Sequence, residues 1–203
     1  MLFRKLPFDP VKDFAPVTQF IATQLFLAMN PKVAANDVRE LIALAKSQPG
    51  KLNYGSSGNG GSSHLVTELF KTMSGVDLVH VPYSGAAPAM TGLLTGQVQV
   101  QFAPIAVVTH VQAGRVRALG VSSLHRSNLA PDVPTVAESG LPGYETVSMT
   151  GMFAPAKTPD ALIEQVSHDL ARVLKTADVQ SRLLGVGTEA IGSSRSEEHT
   201  SEL

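Results

Sequence analysis

Lys51-Leu52-Asn53-Tyr54-Gly55-Ser56-Ser57-Gly58-Asn59-Gly60-Gly61-Ser62-Ser63-His64-Leu65 is the stretch that decides the fold. Residues 51–54 have the composition of a short strand, 55–63 form a glycine-rich turn, and a helix follows in which Ser62 or Ser63 can cap the first turn. A second junction of this kind lies at 82–87, where a strand at 78–81 precedes a helix with Pro88 in its first position. Strands and helices alternate elsewhere too, which predicts an α/β fold with parallel strands and crossover helices.

The remaining elements follow from periodicity and from turn residues. Residues 14–29 and 146–153 are predicted to be extended, and 122–142 to be loop. Strands are expected at 98–102 and 116–121, and helices after Asn36 or Asp37, over 105–113 and after Thr158. The helix after Ser63 has an apolar stripe predicted to be buried, Leu65, Val66, Leu69, Phe70 and Met73. The helix after Thr158 has another, Leu162, Ile163, Val166, Leu170 and Val173.

Composition excludes several classes of protein. The 203 residues carry a net charge of −1, so no basic excess exists to bind a nucleic-acid backbone. The sequence has no cysteine, which rules out disulfides, thiolate metal sites and cysteine nucleophiles. No apolar run reaches the roughly 20 residues of a membrane-spanning helix. The first ten residues lack the apolar stretch of a signal peptide.

The glycine-rich turn allows more than one interpretation. A strand, a glycine turn and a helix start place backbone N–H groups around one point, which suits an anion. A P-loop is disfavoured because Gly61 stands where its lysine belongs. A dinucleotide site is weakly supported: Gly58-Asn59-Gly60 begins its fingerprint, Ser63 replaces the third glycine, and Asp77 lies at a tolerable distance for a ribose partner. The turn can also be a simple connection.

Individual polar side chains point to no catalytic centre. His64 falls in the first helical turn, where the dipole favours the neutral imidazole, and packing or capping is a better explanation for it than catalysis. The histidines His80, His110, His125 and His168 do not stand at metal-ligand spacing, and no pair of carboxylates suggests acid–base chemistry. Tyr83 suits ligand contact and packing equally well.

Longer motifs resemble a known family. They are Leu52 to Gly58 with Ser63-His64-Leu65, His80-Val81-Pro82-Tyr83-Ser84-Gly85-Ala86-Ala87-Pro88-Ala89, Leu93-Leu94-Thr95-Gly96-Gln97-Val98, Gly114 to Leu119 and Pro134-Thr135-Val136. Together they are similar to the tripartite tricarboxylate transporter receptors, also called Bug proteins. The resemblance implies a type II periplasmic solute-binding protein with two lobes, a carboxylate in the cleft between them, and delivery to membrane subunits of a transporter, without catalysis or cofactor. It places ligand contacts at Ser56, Ser57, Gly58, Ser63, His64, Tyr83, Gly85, Ala86 and Ala87.

The resemblance also suggests a domain organisation. Residues 1–29 are expected to be a remnant of lobe 1 with a crossing strand, 30–123 to form a nearly complete lobe 2, and 124–194 to return to lobe 1, which is incomplete. The polar, aperiodic run 195–203 is expected to be non-native. Two other functions stay open at this point: a nucleotide-dependent enzyme that uses the Gly58 to Gly61 turn, and a sensory binding module.

Overall fold

A computed structural model describes residues 7–185 and 188–190 of the chain. The chain divides into two compact units, one formed by Gln24–Ser148 and the other by Met1–Thr23 with Met149–Leu203. In chain order the elements are β1 (Phe14–Thr23), β2 (Phe26–Met29), α1 (Val38–Ser47), β3 (Asn53–Ser56), α2 (Ser62–Ser74), β4 (Val79–Pro82), α3 (Ala86–Thr95), β5 (Val100–Ala103), α4 (Val107–Gln112), β6 (Arg117–Val121), β7 (Ser148–Pro155), α5 (Asp160–Leu174), α6 (Ala177–Gly185) and β8 (Glu189–Ala190).

The larger unit contains a mixed five-stranded sheet in the order β4-β3-β5-β2-β6. β3 runs parallel to β4 and to β5, as the alternation of strands and helices predicts. The parallel prediction is wrong for β2, which pairs antiparallel with both β5 and β6. No crossover helix joins β2 directly to either partner in the sequence, so the alternation of elements does not determine its direction.

Both faces of this sheet are covered by helices. Neighbouring residues of β2 point to opposite sides, since Leu27 belongs to the apolar cluster with residues of α1 and α2 while Phe26 belongs to the cluster with residues of α3 and α4. All four residues of β2 are buried. A strand buried on both faces reads as a continuous apolar run, which explains why residues 26–29 show no alternation.

The helix boundaries confirm some predictions and correct others. Asp37 is the N-cap of α1 and accepts a hydrogen bond from the Glu40 N–H at 2.8 Å. α2 is capped by Gly61 and by no serine side chain, so the prediction of a Ser62 or Ser63 cap is wrong. α3 begins after Gly85, which puts Pro88 in the third helical position instead of the first.

The buried face of α2 also differs from the predicted stripe. Val66 and Phe70 are buried, whereas Leu65 is 57% exposed, and Leu69 and Met73 are exposed too. The buried face instead includes Ser63, Thr67 and Ser74. The Thr67 and Ser74 hydroxyls donate to carbonyls one turn earlier, the Ser63 and Phe70 oxygens, so their burial leaves no hydroxyl without a partner.

The larger unit is wider than the predicted range 30–123. β2 lies inside its sheet, and the loop after β6 returns to it: the Ser122 hydroxyl donates to the Thr146 carbonyl and accepts from the Leu25 N–H. Tyr144 is fully buried, and its hydroxyl donates to the Val66 carbonyl at 2.9 Å. These long-range contacts hold both flanks of the range 30–123 in the unit.

The smaller unit has a sheet in the order β7-β1-β8, with β1 antiparallel to β8 and α5 packed on β1. α5 buries Ile163, but Leu162 and Val173 are about half exposed, contrary to the predicted stripe. The sequence pattern does not predict α6 or β8. Within the described residues no helix is both long and apolar enough to cross a membrane. The predicted non-native run 195–203 lies outside the described residues.

Candidate functional site

The two predicted turns lie side by side. β3 and β4 are parallel neighbours with Ser56 opposite Pro82, so the turns that follow them leave the sheet at the same edge. The Tyr83 N–H donates to the Ser56 carbonyl at 3.0 Å and joins the second turn to the first. The residues predicted from sequence therefore lie at two adjacent strand-to-helix junctions of one unit.

Hydroxyl groups in the first turn are engaged within the turn. The Ser63 hydroxyl accepts from the Ser57 N–H at 3.0 Å and also lies 3.0 Å from the Ser57 hydroxyl. Ser56 is fully buried, and its hydroxyl lies 3.2 Å from both the N–H and the carbonyl of Gly58. Gly58 has φ +133°, a conformation that L side chains rarely adopt. Ser56, Ser57 and Ser63 therefore hold the turn in shape with their side chains.

Backbone donors remain at the starts of α2 and α3. Gly61 caps α2 and Gly85 caps α3, in both cases with no side-chain hydrogen bond. Within the described residues, the N–H groups of Ser62 and Ser63 make no hydrogen bond, and neither do those of Ala86 and Ala87. The third residue of α3, Pro88, has no N–H. Each helix thus presents two unpaired donors at its positive end.

Neither turn contains a lysine or an arginine. Lys71, on α2, is engaged with the carboxylate of Glu68 at 2.8 Å. An anion at the turns would therefore be held by backbone N–H groups and helix dipoles, without a cationic side chain from the turns themselves.

Tyr83, in the second turn, packs against residues outside that turn. Its hydroxyl donates to the side-chain oxygen of Gln97 at 3.4 Å, and its ring lies against Gly55 and Gly92, where no side chain intervenes. The ring is half-buried. These contacts fit the packing interpretation of Tyr83, and its contact with a ligand stays a prediction.

A cluster of titratable side chains behind the first turn is missed by the sequence reasoning. The His80 ring is stacked between those of Tyr54 and His64, at centroid distances of 4.8 and 4.2 Å. The Tyr54 hydroxyl donates to Glu68 at 2.6 Å, and Glu68 also accepts from Lys71. His64 and His80 are 16 positions apart, and only the pairing of β3 with β4 together with the start of α2 brings them together. That pairing is the one signal that could have predicted the contact.

The cluster sets the protonation of its members. Burial raises the pKa of the Tyr54 phenol, and the Glu68 carboxylate raises it further. Burial opposes ionisation of Glu68, but hydrogen bonds from Lys71 and Tyr54 outweigh it and hold the pKa of Glu68 below its ordinary value. Burial, with a contribution from His64, lowers the pKa of His80. The neutral imidazole of His80 is therefore favoured beside a charged Glu68.

A mostly apolar cavity of about 270 Å³ runs along the exposed side of α2 from its first residue. It is lined by Ser62, Leu65, Val66, Leu69, Thr146, Val147 and Ser148. Within the described part of the chain, no group of three His, Cys, Asp or Glu residues could hold a metal ion.

Comparison with known proteins gives a consistent set of relatives. A family profile, "Tripartite tricarboxylate transporter family receptor", matches residues 1–199. A UPF0065 protein from the tcbD-tcbE intergenic region of Pseudomonas sp. strain P51 is 34% identical over 94% of the chain, and BugT of Bordetella pertussis is 30% identical over 94%. The chain spans 57% and 59% of the lengths of these relatives.

Solved structures agree in fold. The R. palustris protein Rpa4515 with adipate is 34% identical, with a TM-score of 0.86 over 97% of this chain and 66% of that one. MatC from Rhodopseudomonas palustris with bound malate is 33% identical, with a TM-score of 0.81 over 93% and 64%. The mixed α/β fold is thus that of solute-binding proteins.

These matches bear on the nucleotide-dependent enzyme considered from the sequence. The family and its structural relatives are receptors and binding proteins and not enzymes, so the nucleotide-dependent enzyme is not supported. The resemblance predicted from the sequence motifs is confirmed. This chain belongs to the tripartite tricarboxylate transporter receptor family.

Proposed function

We propose that the protein is a periplasmic receptor that captures a small carboxylate and delivers it to the membrane subunits of a tripartite tricarboxylate-type transporter. The family match supports this role, and two solved relatives contain adipate and malate. Another relative, 36% identical, is described as a periplasmic transporter. In this proposal the unit Gln24–Ser148 contributes ligand contacts from the turns that follow β3 and β4.

One observation carries the proposal. Two helices, α2 and α3, start from adjacent parallel strands with glycine N-caps, and their first N–H groups have no acceptor within the described residues. A carboxylate has four lone-pair positions for such donors, and its charge is stabilised by both helix dipoles. Each hydrogen bond to a charged group contributes about 1.5–3 kcal/mol.

The predicted site residues then have two roles. Backbone N–H groups of Ser62 and Ser63 at the start of α2, and of Gly85, Ala86 and Ala87 at the start of α3, face the carboxylate. Ser56, Ser57, Gly58, His64 and Tyr83 keep the two turns in the shape that this contact needs. Gly85, at φ +155° and ψ 176°, has a backbone conformation close to glycine-only, which allows the chain to enter α3 without a side chain at the cap.

Proline substitutions test this arrangement without removing the helices. Proline is favoured in the first helical position and lacks an N–H, so Ala86→Pro and Ser62→Pro each delete one donor while the helix start is kept. Ala86→Ser and Ser62→Ala are the matched controls, since both keep the N–H. Calorimetry with acetate, succinate, adipate, malate and citrate, and with ATP and NAD, measures binding to the chain and its variants.

We expect at least one of the carboxylates to bind, with roughly tenfold or greater loss in each proline variant and less than threefold loss in the controls. Ligand at a hundredfold excess over Kd should stabilise the fold by about 2.7 kcal/mol. Binding of ATP or NAD without any carboxylate would overturn the proposal. Uptake of the bound carboxylate by cells, lost when the receptor gene is deleted, distinguishes transport from a sensory role.

A further inference from the structure

Two histidines contact the first turn but are not among the proposed ligand contacts. The rings of His64 and His80 are nearly parallel, with 8° between their planes. They contact different parts of the turn: His64 contacts Gly60, and His80 contacts Ser56. The pair therefore spans the turn between the end of β3 and the start of α2.

His64 holds the turn only in its neutral form. Its Nδ1 accepts a hydrogen bond from the Gly60 N–H at 3.0 Å, so this nitrogen carries no proton and the neutral ring has its proton on Nε2. Protonation fills the lone pair of Nδ1. The Gly60 N–H then faces another donor and must move away or find another acceptor.

His80 holds the other side of the turn through Ser56. Its Nε2 lies 2.6 Å from the Ser56 hydroxyl, which in turn lies 3.2 Å from the Gly58 N–H. Three further groups surround the histidine pair: the Tyr54 ring stacks on His80, and the Glu68 carboxylate and the Lys71 ammonium both contact Tyr54. Glu68 and Lys71 are paired with each other, so they supply little net charge to offset a second imidazolium 4.2 Å from the first.

We propose that His64 and His80 are positioning residues that form one pH-sensitive support: while both rings are neutral they hold the ligand-binding turn, and protonation of His64 releases Gly60 and weakens carboxylate binding. This inference rests on the function proposed above. A protonated ring would also attract the anion, but in the proposed site His64 does not touch the ligand, so this attraction acts at a distance, while the contact with the Gly60 N–H is lost outright. Affinity should therefore fall on acidification.

The test combines binding with a measurement that needs no ligand. Kd values for adipate and malate are measured by calorimetry on the full chain between pH 7.5 and 5.5. Over the same range, ¹⁵N NMR follows the ring nitrogens of His64 and the amide of Gly60. We expect Kd to rise about tenfold, and the Gly60 amide to shift with the same midpoint as the His64 ring.

Variants separate support of the turn from other effects of pH. His64→Asn places an amide oxygen near the position of Nδ1 and cannot titrate. Whatever its affinity at pH 7.5, its Kd should change between pH 7.5 and 5.5 by less than about twofold beyond what the ligand's own titration requires. His64→Ala should bind weakly at every pH. His168→Asn, at an exposed position of α5, is the control and should keep the full pH dependence.

An unchanged pH dependence in His64→Asn, a Gly60 amide that does not follow the His64 titration, or an affinity that rises on acidification would overturn the inference. Failure of every carboxylate to bind at any pH would instead refute the proposed function. The NMR titration still decides whether the histidine supports the turn in that case, because it is measured without ligand.

Discussion

Gly92, inside α3, has no side chain, and the Tyr83 ring occupies the space that a side chain there would fill. A methyl group at Gly92 would lie 2.6 Å from the ring carbon that bears the hydroxyl, well inside van der Waals contact. The ring also packs on Gly55, so its position depends on two glycines from different elements. Tyr83 directly follows β4, and this contact therefore couples α3 to the turn that precedes it.

Gly92→Ala should destabilise the protein although alanine favours a helix. Alanine gains about 1 kcal/mol of helix propensity over glycine, but overlap with the Tyr83 ring should cost more, for a net loss of about 1–2 kcal/mol. Urea denaturation measures the change. In Gly92→Ala/Tyr83→Ala the overlap is gone, so the substitution at 92 should then stabilise; equal effects of Gly92→Ala with and without the ring would contradict the contact.

Ser63→Ala should loosen the first turn. Its hydroxyl accepts from the Ser57 N–H, and the loss of that acceptor in a buried position should cost about 1–2 kcal/mol of unfolding free energy. Ser62→Ala is the matched control, since that side chain is more exposed and lies one position earlier. Thermal unfolding compares the two. A drop of the same size in both variants would show that the hydroxyl of Ser63 has no special role.

Tyr54→Phe should lower stability in a pH-dependent way. The phenol donates to Glu68 at 2.6 Å and helps to hold the pKa of that carboxyl below its ordinary value of 4.5. A lowered carboxyl pKa contributes stability that is present above pH 4.5 and is lost as pH falls through the folded-state pKa. The variant should therefore be less stable by about 1 kcal/mol at pH 7, and the deficit should shrink at acid pH.

Chemical denaturation at pH 7, 5 and 3 measures this deficit. Glu68→Gln removes the charge and completes a double-mutant cycle. In the Glu68→Gln background, Tyr54→Phe should lower the free energy of unfolding at pH 7 by less than it does in the parent. A deficit that stays constant across the three pH values would mean that the phenol acts by packing alone.

Asn30→Asp should destabilise the larger unit more than Asn30→Ala. The Asn30 amide donates to the Leu93 carbonyl at 2.7 Å in a buried position, and an ionised aspartate would place oxygen against oxygen there. We expect losses of about 1–2 kcal/mol for alanine and more for aspartate. The aspartate deficit should shrink at acid pH, because a protonated carboxyl can donate again. A larger loss for alanine than for aspartate in urea denaturation would contradict this account.

Much of the fold follows from local sequence because a few neighbouring residues determine where each helix begins and ends. Asp37 starts α1, and Gly75 and Gly96 end α2 and α3 in left-handed conformations, each a property of a few neighbouring residues. The two glycine turns are predicted correctly at strand-to-helix junctions for the same reason. The motifs around them also suffice to identify the family, because they are long and keep their order along the chain.

The buried faces could not be predicted with the same accuracy. An apolar stripe on α2 contains Leu65 and Leu69, which are exposed, and omits Ser63 and Thr67, which are buried. Which side of a helix faces the core depends on the sheet that it packs on, and a threonine can be buried when its hydroxyl bonds to the preceding turn. The direction of β2 is missed for a related reason, since its partners β5 and β6 are far away in sequence.

The sequence by itself determined the strand–turn–helix order, the glycines that permit the turns and the absence of cationic side chains within them. Only the tertiary structure decided what those turns contact. Parallel pairing of β3 with β4 places His80 against His64 and Tyr83 against Ser56, although the members of each pair are far apart in the chain. Backbone hydrogen bonds between strands do not depend on side-chain identity, so this pairing, and the site that it assembles, leaves little trace in local sequence.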